Sequence, residues 1–521
     1  MSAVQPAVTD HGPDADRDAA RAAAAGRRHA RGGSHSTAST AMVFLLPAAV
    51  ALGFSLPGIG DRQLWRDEHA TWWAATLSFG DLGALIKNID VVFAPYYVVM
   101  HLWIAVFGTS PAAMRLPAAG AMAVAAGLLG LVGRRLFTVG TGVLAGLLFA
   151  VVPTMIRYGE ETRPYAFAVA FALLSTLLLL RALDQPGLKR WALYGGSIPL
   201  IGCSHMVSLS VLAGHLGLVV MAKRDGDRTA HRAFAAVAVL GVSAILPMLV
   251  QGAGQSGQIA WNNPTFQDLA DYPQELFGSW AIGGPVMVIG LSGLYVARKY
   301  AALFGPWVLL PPVLTYLTSD QLHLFLPRYL LFTVPGWLLL VAAAAIGAAD
   351  RLAKEFVARV GVGRRGVVTV FVLATVAVFA ELAQPGIAIA RKSNPVEPDY
   401  RQAGRIVARN QQAGDGIAFS GHLSERRAMA YELRGDSGRP TEVLLSRSAQ
   451  QSGTYSGVEC SEPVKCLAGT DRLWVVSTSQ AGVTPFADMS AKTATALNTY
   501  FTVVRTDNLA NVRVLLLERV R

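Results

Sequence analysis

From residue 41 onward the chain is a succession of apolar runs, separated by short polar stretches in which Lys and Arg collect. Crossing the hydrocarbon takes about 20 apolar residues, and several of these runs have that length. A chain so patterned folds as a polytopic α-helical membrane protein. Its composition agrees, with 53% hydrophobic and only 15% charged residues. The net charge of +11 does not read as a nucleic-acid face, because the basic residues sit in clusters between apolar runs, as membrane topology requires.

Residues 1–40, rich in Ala, Gly, Asp, Arg and Ser, carry too little apolar surface to bury and are expected to be a disordered cytoplasmic N-terminus. Basic residues ahead of the first apolar run (41–58) also fit a signal peptide. The lead is long and no A-x-A cleavage site follows, so that run is expected to be a retained helix. Basic clusters mark the cytoplasmic ends of helices. With the N-terminus inside, the first helix delivers "LWRDEHATWW" (64–73) to the outer face. The next run, "FAPYYVVMHLWIAVFG" (93–108), is short, carries His101 and would reverse every later basic loop if it spanned; it is placed flat in the outer interface. The remaining runs then give helices at about 115–133, 139–155, 164–181, a hairpin with Ser204 and His205 near its outer tip, 233–251, and four more ending at about 367–384. The total is eleven, with 252–280 expected as a polar outer loop.

The odd count puts residues 385–521 outside the membrane, where a bond between Cys460 and Cys466 is chemically permitted. This tail mixes polar residues with short apolar runs, "GDGIAFSG" (414–421), "RLWVVSTS" (472–479) and "VRVLLLERV" (512–520), after a helix-like "PDYRQAGRIVARNQ" (398–411). An extracytoplasmic α/β domain is expected. It shows no nucleophile elbow, P-loop or dinucleotide fingerprint. The three cysteines show no zinc-type spacing.

The topology gathers the unusual charges on one face: Asp67 and Glu68, then Arg157, Glu160, Glu161 and Arg163, then His205, and finally His323 and Arg328. Singly, each could be a solvated interfacial charge. Charges at the edge of apolar helices are costly to desolvate and persist best by pairing or by meeting a polar ligand, which favours a shared site.

Four stretches in order, "LWRDEHAT", "APYYVVMHLWIAVFGTSPAAMRLPAA", "RYGEETRPYAFAVAFALL" and "FLPRYLLFTVPGWLLL", together resemble the GT-C glycosyltransferases, in particular the protein O-mannosyltransferase and aminoarabinose-transferase branch in its actinobacterial form. The likeness covers roughly residues 41–384, the expected catalytic domain. It implies transfer of a sugar, mannose or another pentose or hexose, from a polyprenyl-phosphate donor to an extracytoplasmic glycan, lipid or protein acceptor, with inversion. It assigns catalysis to Asp67 as general base, with Glu68 assisting or sharing a divalent cation with it. Two carboxylates alone are a weak cation signature, and no other cofactor is implied. Carrier-phosphate binding falls to Arg328 and Tyr329, with Arg163, Glu161, Tyr165, His205 and His323 around them. A guanidinium fork suits a phosphate.

The chain departs from the family at "VVFAPYY", where relatives often carry His or Lys before one or two prolines, and at Glu160, Glu161 and Arg163, where some branches have Asp. Two rival classes are a transporter of a lipid-linked sugar, which would show internal repeats and broken helices, and a non-catalytic envelope scaffold. Neither repeats nor broken helices are visible in the sequence.

Overall fold

The computed structural model describes residues 37–222, 229–360, 363–420, 424–478 and 483–520. Most of the expected N-terminal segment, residues 1–36, lies outside them. Six helices among the described residues are long and apolar enough to cross a membrane: Thr37–Ser55, Pro111–Leu136, Tyr165–Asp184, Arg298–Leu317, Pro327–Lys354 and Arg365–Ala390. The number rises to nine if three bent pairs each count as one span. The expected eleven also included Leu188–Ser204, which opens with Lys189 and Arg190, and the short apolar helix Met206–Ala222. The run 93–108 is the 14-residue helix Ala94–Phe107, too short to span.

The bent pairs correct the reading of unbroken helices. Val139–Ala150 and Pro153–Gly159 meet at 64°, Thr229–Ser243 and Leu246–Gly254 at 50°, and Phe266–Phe277 and Trp280–Val296 at 97°. Pro153 and Pro247 lie in the first turn of the helix after the break, where proline's missing N–H costs nothing. Gly278 supplies the third bend with φ +87. The expected polar loop 252–280 therefore contains an amphipathic helix, which buries Tyr272, Leu276 and Phe277. The residues at these breaks, Val151, Val152, Ala244, Ile245, Gly278 and Ser279, include no ionisable side chain. A transporter's charged broken helices are thus not what these bends resemble.

The bundle is tight because small residues sit at its crossings. At Gly130 a Cβ would meet the carbonyl oxygen of Val43 at 2.3 Å, and at Gly142 that of Gly130 at 2.2 Å. The helices Thr37–Ser55, Pro111–Leu136 and Val139–Ala150 can approach this closely only through these glycines.

Residues 400–519 form a mixed α/β region. Its strands are β1 (Gly416–Ser420), β2 (Thr441–Glu442), β3 (Leu445–Arg447), β4 (Val458–Glu459), β5 (Arg472–Ser477), β6 (Phe501–Leu509) and β7 (Val512–Arg519). Five of them build a sheet in the order β2-β1-β5-β7-β6, with β2, β1 and β5 parallel and β7 antiparallel to β5 and β6. β1 is buried on both faces, so its residues alternate between two cores. One core holds Ile417, Phe419, Trp474 and Val514 against Tyr400 and Val407; the other holds Ala418, Leu473 and Val475 against Leu497. The expected strands are all present; the short β2, β3 and β4 are added, and so is β6, which pairs with β7 through a turn at Asn511 with φ +55. Cys460 and Cys466 are disulfide-bonded.

The α/β region docks on the loop before the helix Arg66–Thr76. Arg401 donates to the carbonyls of Asp61 (2.6 Å) and Arg62 (2.9 Å), Gln63 to Pro398 O (2.9 Å), and the Tyr431 hydroxyl to Thr109 O (2.9 Å).

Candidate active site

The helix Arg66–Thr76 has three working faces, because successive side chains on a helix point about 100° apart. Asp67 faces a cavity, and Thr71, one turn on, is buried behind it. Arg163 reaches both, its NH2 4.0 Å from Asp67 Oδ2 and its NH1 3.3 Å from Thr71 Oγ1. His69 and Trp72 face the α/β region, with ring centroids 5.5 and 5.1 Å from that of Tyr431. Burial pushes the His69 imidazole down to about 3, so it is neutral packing material rather than a proton carrier.

Glu68 faces inward and is fully buried. Its Oε1 accepts from Arg115 Nε (2.8 Å) and the Thr162 N–H (2.9 Å); its Oε2 accepts from Arg115 NH2 (2.7 Å) and the Trp65 N–H (3.3 Å). Burial alone would push the Glu68 carboxyl up, but the charge and hydrogen bonds of Arg115, with the two amides, outweigh it and hold the group below its ordinary value. Arg115 spends its other donors on the carbonyls of Ile59, Arg62 and Gln63. Glu68 was expected to assist Asp67 or to share a cation with it, and in the structure its partners are Arg115 and two backbone amides. The adjacent carboxylates point apart, and Glu68's oxygens are already occupied, so it fixes the helix that presents Asp67. No group of three or more metal-ligating side chains occurs among the described residues.

The cavity has a volume of 570 Å³, within the range of small-molecule sites. It brings together six residues singled out from the sequence: Asp67, Arg163, Tyr165, His205, Arg328 and Tyr329. His205 packs on Tyr329 at 4.4 Å and on Tyr165 at 5.6 Å, making an aromatic wall. Arg163 lies 4.3 Å over the Phe93 ring. Arg328 rests 5.5 Å from the Tyr329 ring, and its Nε is buried with no hydrogen-bond partner among the described residues.

Two of the other expected residues lie outside the lining. Glu161 is buried and accepts from Arg157 Nε at 2.6 Å. His323, at φ +53, clasps the loop opposite, its Nδ1 2.9 Å from Asn262 O while Asn262 donates to His323 O at 2.8 Å. Both are better described as holding loops in place. Sequence reasoning missed Asp90, Arg427 and Tyr455, which also line the cavity. Tyr97 and Tyr455 each donate to Asp90 Oδ2 at 2.8 Å. A carboxylate followed by "VVFAP" was the one available signal for Asp90; nothing local marks the other two.

Glu160 and Glu161 supply a pH prediction. Burial, only partly offset by nearby arginines, pushes both carboxyls up to about 7. A raised folded value means the protonated form is favoured by folding, so this contribution is fully present below the ordinary 4.5 and is lost as pH rises through about 7. The melting temperature in detergent is expected to fall between about pH 5 and pH 8, and a Glu160→Gln/Glu161→Gln double variant to flatten that slope. An unchanged slope in the double variant would show that other groups set it.

Comparison with known proteins agrees with this architecture. Residues 92–250 match the dolichyl-phosphate-mannose-protein mannosyltransferase family. ArnT from Cupriavidus metallidurans in the apo state superposes with TM-score 0.57 at 15% identity, covering 90% of this chain and 97% of ArnT. The same protein bound to undecaprenyl phosphate gives 0.54 at 16% identity, covering 91% and 97%. The Archaeoglobus fulgidus oligosaccharyltransferase reaches 0.47 at 12% identity, covering 88% and 71%. No curated protein matches the chain in sequence. Fold and family match together define a multi-pass membrane glycosyltransferase of the GT-C class. Within the chain, residues 92–250 carry the likeness to the dolichyl-phosphate-mannose-protein mannosyltransferases, and the fold as a whole is similar to that of ArnT.

Proposed function

We propose that the protein transfers a sugar from a polyprenyl-phosphate carrier to an acceptor hydroxyl on the outer side of the membrane, with Asp67 as general base. The observation that carries this reading is one cavity that holds a carboxylate, Asp67, beside two arginines, Arg163 and Arg328. The acceptor oxygen attacks the anomeric carbon from the side opposite the phosphate. Its proton passes to Asp67, the bond from anomeric carbon to phosphate oxygen breaks, and the configuration inverts. The leaving polyprenyl phosphate gains a negative charge, which Arg328 and Arg163 stabilise. The fold of ArnT and its capture with undecaprenyl phosphate support a carrier of this class. The 41–384 segment is the catalytic part in this reading, and the N-terminus is cytoplasmic.

Incubating the purified protein with a panel of polyprenyl-phosphate sugars, and following release of the carrier phosphate, tests the assignment. No turnover of any donor across pentoses and hexoses, with any acceptor fraction from the cell envelope, would count against it. For the phosphate contact, Arg328→Ala is expected to weaken undecaprenyl-phosphate binding by about ten- to a hundredfold, the worth of charge-assisted hydrogen bonds. Arg328→Lys should restore only part, since a point charge replaces a fork. Unchanged affinity in Arg328→Ala would reduce this arginine to an interfacial anchor.

A further inference from the structure

The cavity is richer in positive charge than one carrier phosphate requires. Arg66, Arg163, Arg328 and Arg427 line it against only Asp67 and Asp90. Both carboxylates are engaged elsewhere. Asp67 has Arg66 at 3.9 Å and Arg163 at 4.0 Å. Asp90 receives the two tyrosine hydroxyls on Oδ2, and the Gln258 side-chain amide lies 2.7 Å from its Oδ1, donating to it once the amide is turned so that its nitrogen faces the carboxylate.

Arg328, which also pairs with no carboxylate among the described residues, is taken by the carrier phosphate in the reading above, and Arg427 is left over. It comes from the helix Ser424–Glu432 of the α/β region, not from the membrane bundle. Its guanidinium lies 4.6 Å over the Tyr455 ring, and NH1 donates to Tyr455 O at 3.1 Å. Nε is buried with no partner, and no carboxylate lies within ion-pair distance of Arg427 among the described residues. A guanidinium has five N–H donors, and this one uses a single bond while its face rests on an aromatic ring. A cation so held and so incompletely paired is costly unless an anion completes it.

We propose that Arg427, with Ser424 and Tyr455 beside it, forms a second anion subsite that takes a phosphate or carboxylate group of the acceptor while Asp67 faces the acceptor's hydroxyl. The proposal rests on the glycosyltransferase reading and adds a substrate class to it: acceptors that carry an anionic group close to the glycosylated hydroxyl. It also gives the α/β region a direct part in substrate choice. The alternative source of the anion is the carrier phosphate itself, and the experiment separates the two.

The full-length protein in detergent is saturated with undecaprenyl phosphate and titrated with glycerol phosphate, read by phosphorus NMR. Glycerol phosphate is expected to bind without displacing the carrier. Arg427→Gln should weaken it by about tenfold or more, and should change undecaprenyl-phosphate affinity by less than about twofold. If Arg427→Gln does not fold, Arg427→Lys carries the test, with weakened glycerol-phosphate binding expected from loss of the fork. Strict competition between the two ligands in the unsubstituted protein would overturn the second subsite, as would unchanged glycerol-phosphate affinity in Arg427→Gln. Binding of glycerol phosphate through Arg427 with no binding of undecaprenyl phosphate would uphold the subsite and sink the donor assignment instead.

Discussion

Asp67→Asn is expected to lower turnover by roughly a hundredfold or more, the usual contribution of a positioned general base. The substitution keeps the side chain's shape, and the Asp67 side chain is part-exposed, so folding should survive. Thr71 bonds the Asp67 backbone carbonyl at 3.0 Å rather than its carboxylate, which leaves the helix intact. Arg163 loses a negative neighbour 4.0 Å away and becomes freer to hold a phosphate. Undecaprenyl-phosphate affinity should therefore hold or rise while turnover collapses. That split separates a base from a binding residue, since uniform loss of binding would raise KM instead. A folded Asp67→Asn protein with unimpaired turnover would remove Asp67 from the chemistry.

The residues that could be picked out from sequence share one property: they are charges placed where a membrane chain normally has none. Asp67, Arg163 and Arg328 stand at the ends of apolar runs, and the structure gathers them in one cavity. Glu68 was visible for the same reason, but its adjacency to Asp67 in sequence does not carry into the structure, because a helix turns neighbours apart. Arg115, its partner, begins an Ala-rich helix as a single charge and looks like a snorkelling side chain. Arg427 lies in "SERRAMAYE", which reads as a solvated helix. Tyr455 meets Asp90 across 365 residues of chain, a contact that no local pattern encodes. Two of the three helix bends were hidden similarly, since a proline in the first turn of a helix is also what an ordinary helix start looks like. Strand β6 escaped because its residues are largely exposed and lack the apolar alternation that marks a half-buried strand.

The largest stability effect is expected at Arg115 rather than at any cavity residue. Arg115→Ala leaves Glu68 fully buried without its counter-ion, a situation that typically costs about 3–5 kcal/mol. It also strips donors from the carbonyls of Ile59, Arg62 and Gln63, the loop on which the α/β region docks. Glu68→Gln should cost less, because a neutral amide oxygen can still accept from Arg115 and the Thr162 N–H. Combining Glu68→Gln with Arg115→Ala should cost less than the two effects added, since the second change no longer strands a charge. Thermal unfolding of the purified variants reads these differences. Added divalent cation should rescue none of them, as both Glu68 oxygens are used by protein donors. An Arg115→Ala protein that melts like the parent, loses turnover and regains it with a divalent cation would show that Glu68 belongs to the cavity's chemistry after all.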